Sequence, residues 1–515
     1  LEVTNLNAPD RERALSTPGD VEALISGAYR TWWFSQHGWA PGPALSVGAD
    51  QHTSSWGNFM MNDFGREPRE PISNSASYGY AYVVESPYFN AYAALAAVRD
   101  GILAIDGGLE IGANGEDTQR AMAFGHFIQG IALGTVALTY DQGAILTEAT
   151  DVENVTFAPY NELMDAAISV LNESIALTNG QSWSTEDGWM SGATSASELT
   201  KLAHSYIARF MAGVARTPAE RAAVDWAAVR SHIDQGITED FTVYGDDIDW
   251  WDIMKTYTIY GGWGRADVRS VGPSDQSGGY QAWMATPVDQ RDEFEIDTDD
   301  RRVTGGDPQT DGKYFGYFGA SPFRVNRGTY HFSLYGTVRY DDYGYDWLGE
   351  KVEVSGAEMD ILKAEAYYRA GDMGSVVDII NSYRVPNGEL PAVTASGVSG
   401  ARCTPRTASG ACADLWETMK YEKRMEVWLT SPGDAFFDDR GWGDLTSGTA
   451  IQFPVPAAEL ETLLMDVYTF GGGGENSAPA ELMRPDFSAD ILARKRAVFD
   501  AINESFTKEL PVQIH

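Results

Sequence analysis

Cysteine, histidine and positive charge are all scarce in this chain, and each shortage excludes something. There are 37 lysines and arginines against 74 acids in 515 residues, a formal net charge of −37. Nucleic acid is held through Lys and Arg, so it is excluded as a partner, and an anionic membrane surface repels the chain in the same way. The acidity reads as a soluble, self-repelling surface. No apolar run approaches the roughly 20 residues of a membrane-spanning helix; the best candidate, 127–138, is interrupted by Gln129. The seven histidines (37, 52, 126, 204, 232, 331, 515) are scattered. A lone one on a helix, such as His204, reads as a packed residue before a ligand. There is no zinc His-Glu-x-x-His, no phosphate-binding P-loop and no Gly-x-Ser-x-Gly elbow. Carboxylates are too abundant for a glycosidase pair to stand out. No motif here points to an enzyme. The two cysteines, Cys403 and Cys412, bracket the short loop TPRTASGA. They read as a local disulfide in an oxidising compartment, against the alternative of two free thiols. With no histidine nearby, a metal is not indicated.

Helical signals are plentiful. In 355–383, SGAEMDILKAEAYYRAGDMGSVVDIINSY, Ser355 and Glu358 have capping-box spacing. Met359, Leu362 and Ala366 make an apolar stripe. Gly371 ends the helix and Asp372 caps the next. The pattern is that of a tetratricopeptide-like pair, which buries its face only by stacking on neighbours. Further helices are predicted over 20–34, 82–105, 117–140, 160–177, 196–215, 218–236 and 489–506. The stretch 38–77 is a long Gly/Pro/Ser/Asn-rich loop, and such loops are usually functional.

Between 241 and 349 the helical period fades, and short strands such as 328–340 are expected. Aromatic residues there sit among glycines: Trp263, Trp283 and Trp347, with Tyr260, Tyr280, Tyr314, Tyr317, Tyr330 and Tyr345; Trp56 lies in the earlier loop. Flat faces beside hydrogen-bonding groups such as Asn58 and Asp63 suit sugar rings. For a single loop tryptophan, local packing is the competing reading. Trp32, Trp226, Trp416 and Trp428 fall on predicted helices and are assigned to the core. The acidic run 292–312 holds Asp297, Asp299, Asp300, Asp307 and Asp311, which could supply oxygens to calcium. Arg301 and Arg302 oppose that, and a solvated turn is the other reading. No further cofactor is indicated.

EMDILKAEAYYRAGD, then LWETMKYEKRMEVW, GDAFFDDRGWGDL and FPVPAAEL resemble the C-terminal helical pair, Glu/Arg-rich helix, tryptophan turn and P-x-P-x-x-E-L ending of the SusD/RagB-like outer-membrane nutrient-binding lipoproteins. LEVTNLNAPD is similar to that family's mature N-terminus. The resemblance implies a mainly α fold of tetratricopeptide-like pairs packed with an irregular, loop-rich lobe. It implies one SusD-like domain over 1–515, with the helical stack in 15–240 and 355–385 and the ligand or partner lobe in 241–349 and 386–515. It also implies an outer-membrane protein on the extracellular face that delivers a glycan or other nutrient to a SusC-like TonB-dependent transporter. Membrane contact would run only through an N-terminal lipid anchor, whose cysteine this chain does not contain. The regions matching the family's ligand site are 55–66 and 260–345. The alternative is a structural subunit of an extracellular assembly.

Overall fold

The computed structural model describes residues 15, 17–54, 56–319, 332–344 and 346–472. The fold is mainly α. Helix α1 (Pro18–His37) starts where Thr17 accepts the Asp20 N–H, with Pro18 in the first turn, where its fixed φ favours the helix. A short α2 (Gly42–Gly48) follows. Then come α3 (Tyr82–Asp106), α4 (Thr118–Thr139), α5 (Tyr160–Thr178), α6 (Ala196–Gly213) and α7 (Trp226–Ile233); α4 to α7 each pack against the one before, with α1 laid on α3 and α4. These lie close to the predicted spans, except that the expected helix over 218–236 breaks at Val224. There Asp225 caps a new start by accepting the Ala228 N–H.

Helix α4 is the axis of the stack. Contrary to the reading of 127–138 as too short, it is apolar and long enough to cross a membrane, yet 94% of its most apolar window is buried in the protein. Two glycines let its neighbours close in: a Cβ at Gly130 would lie 2.5 Å from Leu171 of α5, and one at Gly134 2.0 Å from Phe210 of α6. One apolar core runs from Val21 through these helices to Leu460.

Among the described residues, strands occur as four antiparallel two-stranded ribbons. They are β1 (His52–Thr53) with β5 (Arg265–Ala266), β2 (Gln142–Ala144) with β3 (Phe157–Pro159), β4 (Phe241–Gly245) with β8 (Gly349–Val354), and β6 (Phe315–Tyr317) with β7 (Tyr335–Thr337). The β4–β8 ribbon is a neck: the chain leaves the stack through β4, builds the irregular lobe and returns through β8. The lobe includes the short helix α8 (Gly279–Ala285). The strand expected over 328–340 is confined to β7; residues 328–331, like Tyr345 and the helix expected over 489–506, lie outside the described residues.

After β8 come α9 (Gly356–Arg369), α10 (Met373–Gly388), α11 (Leu415–Glu426) and α12 (Asp434–Trp442). Gly371 takes φ +81° between α9 and α10, and Asp372 caps α10, as expected. The Ser355–Glu358 capping box does not form. Ser355 accepts the Ala357 N–H and Asp240 accepts that of Gly356, which frees Glu358 to pair with Arg209 at 2.5 Å in the interior. A capping box does form at Ser195 and Glu198. The segment after 386 is not irregular throughout, because α11 packs on α9 and α10 while Phe436 and Phe437 of α12 enter the main core. Cys403 and Cys412 form the expected disulfide.

The lobe is riveted to α10 and α11 by buried charge. Arg302 grips Asp300 at 2.9 and 2.7 Å and reaches Glu422 at 2.6 Å and Glu426 at 2.8 Å, while Arg384 holds the other Glu422 oxygen at 2.7 Å. Burial opposes ionisation of Asp300, but Arg302 prevails and holds its carboxyl below the usual range. Replacing Arg302 by Met strands three buried carboxylates around one apolar chain. Removing one partner of a buried pair costs roughly 3–5 kcal/mol, and a loss of that order is expected in urea unfolding of Arg302→Met. An unchanged midpoint would show that the cluster does not hold the lobe.

Candidate functional site

The lobe and the N-terminal loop meet in a continuous aromatic surface. It begins at the β1–β5 ribbon, which pairs His52 with Ala266 and Thr53 with Arg265 and so sets the segment before Trp56 beside the one after Trp263. Ser54 Oγ donates to the Trp263 carbonyl at 2.7 Å and accepts the Trp56 N–H; Tyr257 OH also donates to that carbonyl, at 3.1 Å. Trp56 Nε1 donates to the Gly262 carbonyl at 3.4 Å. A tight turn, with the Trp263 N–H on the Tyr260 carbonyl at 2.7 Å, lays the Trp263 ring 4.3 Å from that of Tyr260. Tyr260 OH accepts from Trp347 Nε1 at 2.9 Å.

The surface extends both ways from there. Tyr257 lies edge-on to Phe59, Phe59 stacks on Trp39 at 5.5 Å, and Trp39 meets Trp251 at 4.7 Å. On the other side Phe318 covers Gly261, where a Cβ would sit 2.5 Å from its ring. Trp39 is 52% exposed, Trp56 43%, and Trp263 and Phe318 42% each. Large rings normally avoid such exposure, and grouped exposed apolar surface marks an interaction site. Phe59, Met60 and Trp347 hold left-handed φ values of +55°, +61° and +58°, a strain that concentrates at ligand-binding positions.

Of the residues singled out in the sequence, Trp56, Trp263, Trp347 and Tyr260 come together here. Asn58 is exposed beside Trp56, and Asp63 is half-buried and accepts a hydrogen bond from Tyr78. Tyr280 and Trp283 are buried, whereas Tyr314 is half-buried. Tyr280 and Trp283 are 6% and 4% exposed, packed with Val268 and Phe294 in a small satellite core. The Arg291 guanidinium lies 4.1 Å from the Trp283 ring. Tyr314 donates to Glu426 at 2.8 Å within the Arg302 cluster. Tyr280 and Trp283 are covered by residues a few turns away along the same lobe, Val268, Arg291 and Phe294. Trp39 and Phe318 were missed, although each stands beside a glycine, in HGWAPGP and GYFGASP.

Four of the five aspartates considered for calcium are engaged elsewhere, and the Asp307 carboxylate accepts only the Gln309 N–H of its own exposed turn. Arg402 holds Asp297 and Asp299 at 2.7 and 2.9 Å, Asp300 is buried against Arg302, and Asp311 accepts the Tyr317 N–H. Among the described residues they form no converging group of three ligand atoms.

The floor of the site is anchored by charge. Asp252 caps the turn carrying Tyr257 and holds Lys255 at 2.6 Å and His37 Nδ1 at 2.8 Å; His37 Nε2 meets Glu353. Burial disfavours an imidazolium at His37, but Glu353 and Asp252 outweigh it and raise its pKa. His52 is the opposite case. It is buried under Gly264 with Ser46 Oγ at 2.6 Å from Nδ1, and desolvation pushes its pKa down to about 3.

No family model and no curated protein matches the sequence. Solved structures match the fold. A SusD superfamily protein from Bacteroides vulgatus superposes with TM-score 0.54 at 13% identity, over 87% of this chain and 97% of that one. A SusD-like carbohydrate binding protein from Bacteroides fragilis gives 0.54 at 12% identity, over 83% and 87%. A SusD homolog from Bacteroides thetaiotaomicron gives 0.54 at 10% identity, over 91% and 99%. The fold is therefore SusD-like, as the C-terminal motifs implied.

Two measurements follow. Trp283→Ala is expected to cost about 3 kcal/mol of unfolding free energy, as for a buried aromatic; an unchanged stability would return the ring to the surface. His52 stays neutral when folded but protonates near 6.5 when unfolded. Its contribution is thus complete above that pH and is lost as pH falls toward 3, at roughly 1.4 kcal/mol per unit. His52→Gln should flatten the acid limb of stability between about pH 6.5 and 4.5; an identical limb would remove His52 from the account.

Proposed function

We propose that this protein binds an oligosaccharide at the cell surface, on the platform formed by Trp39, Trp56, Trp263 and Tyr260, and passes it to a TonB-dependent outer-membrane transporter without turning it over. The observation that carries the reading is the exposed aromatic surface, held in place by hydrogen bonds to its backbone. Sugar rings present apolar C–H faces that stack on such rings, while hydroxyls at the edge need donors and acceptors; Asn58 and the Gly262 carbonyl lie at that edge. A platform whose backbone is already ordered binds at low entropic cost. The SusD-like fold supports the same reading, one structural neighbour being itself a carbohydrate binding protein. The disulfide agrees with an oxidising, extracellular location.

Stacking on one aromatic face contributes on the order of 1 kcal/mol beyond area burial. Trp56→Ala and Trp263→Ala are therefore each expected to weaken glycan binding by roughly fivefold to tenfold, with melting temperature nearly unchanged because both rings are exposed. A glycan array followed by calorimetry on its best hit provides the measurement. Stable variants that bind as wild type does would remove the platform from recognition. Isolation of the native protein without a barrel partner would separate glycan binding from delivery.

A further inference from the structure

One histidine and two carboxylates come together on the helical stack, from α4, α5 and the turn after β2. His126 of α4 is 6% exposed and its Nδ1 is buried with no hydrogen-bond partner. A buried ring nitrogen without a partner is uncommon and calls for an explanation. Two carboxylates face it. Glu173 of α5 places Oε2 3.7 Å from Nδ1, and a ring nitrogen of His126, an oxygen of Glu148 and an oxygen of Glu173 all lie within 4.8 Å of one another. A separation of 3.7 Å is too long for a good hydrogen bond. It is close to the spacing of about 3.4 Å between two ligands that share a zinc ion at about 2.1 Å each.

The supports are rigid. Gln129, fully buried one turn along α4, donates Nε2 to Glu148 Oε2 at 3.3 Å, the kind of outer contact that orients a metal-bound carboxylate. Arg99 of α3 donates to the carbonyls of Thr147 and Thr150 at 3.0 and 3.2 Å and pins the turn that carries Glu148. The approach of α4 and α5 at Gly130 sets the distance from His126 to Glu173.

We infer that His126, Glu148 and Glu173 form a site for a divalent transition cation of the zinc class, with Gln129 as a positioning residue. An imidazole ligand selects this class over calcium or magnesium, which take oxygen. A neutral imidazole and two carboxylates balance the dication, and the three ligands leave a fourth position open to water or an incoming group. Bound metal would tie the turn after β2 to two helices. The site shares no residue with the aromatic platform, so it stands independently of the glycan reading.

The test uses the full chain after chelator treatment, titrated with zinc chloride alone and, in parallel, with cobalt chloride to read coordination geometry from its visible bands. One equivalent of zinc is expected to bind, with tetrahedral-type cobalt absorption. Affinity should fall by about tenfold or more in both His126→Ala and Glu173→Gln; Glu173 is half-exposed, so that variant keeps the fold if His126→Ala does not. Calcium chloride should not displace the zinc. Absence of saturable uptake, uptake that survives in a folded Glu173→Gln variant, or displacement by calcium would each overturn the assignment.

Discussion

Glu353 is the point on which the architecture turns. It sits on the returning strand of the neck, and it accepts from Tyr206 of α6 at 2.6 Å and meets His37 at the end of α1. Arg209 of α6 donates to its backbone carbonyl at 2.9 Å and to Glu358 of α9 at 2.8 and 2.5 Å. Through His37 the chain of contacts reaches Asp252 and Lys255, and so the turn beneath the aromatic surface. Such a cluster adds little net stability over an apolar core, since desolvation offsets most of the attraction. Its effect is on register. Each charge is satisfied only when α1, α6, α9 and the neck are all in place, so the lobe cannot shift on the stack without stranding a buried ion.

The same device recurs further along the chain. Arg302 and Arg384 surround Glu422, and Arg221 holds Glu365 at 2.7 Å and Asp438 at 3.0 Å. Ten arginines and four lysines are buried among the described residues, against twelve carboxylates, in a chain with twice as many acids as bases. The interior is thus nearly balanced, and the excess of acid falls on the surface. A neutral sugar pays no electrostatic cost on approaching such a surface, whereas polyanions are repelled. On the proposed reading, the aromatic platform gives a neutral ligand the contact that charge does not.

The platform owes its exposure to backbone anchoring. Trp56, Trp263 and Trp347 are each tied through main-chain or indole hydrogen bonds, so the rings need not collapse inward to be ordered. The left-handed residues Phe59, Met60 and Trp347 aim the chain where ordinary extended backbone would turn the rings elsewhere.

How far all this was legible depends on the range of the interactions involved. Helix positions followed from periodicity and caps, which act within a turn or two, so α3 to α6 and the α9–α10 pair could be placed from their own residues. The C-terminal motifs pointed to the fold, and the two isolated cysteines to their bond. Trp56 and Trp263 were legible as loop aromatics free of a helical stripe. Trp283 carried the same signal and is buried, because Arg291, Val268 and Phe294, 8 to 15 residues away, fold back over it in a way no helical or strand period encodes. Glu358 had the spacing of a cap and became the partner of Arg209, 149 residues away. Whether a ring or a carboxylate meets solvent is decided by what folds over it, and that information lies in contacts between distant segments, which local pattern does not contain.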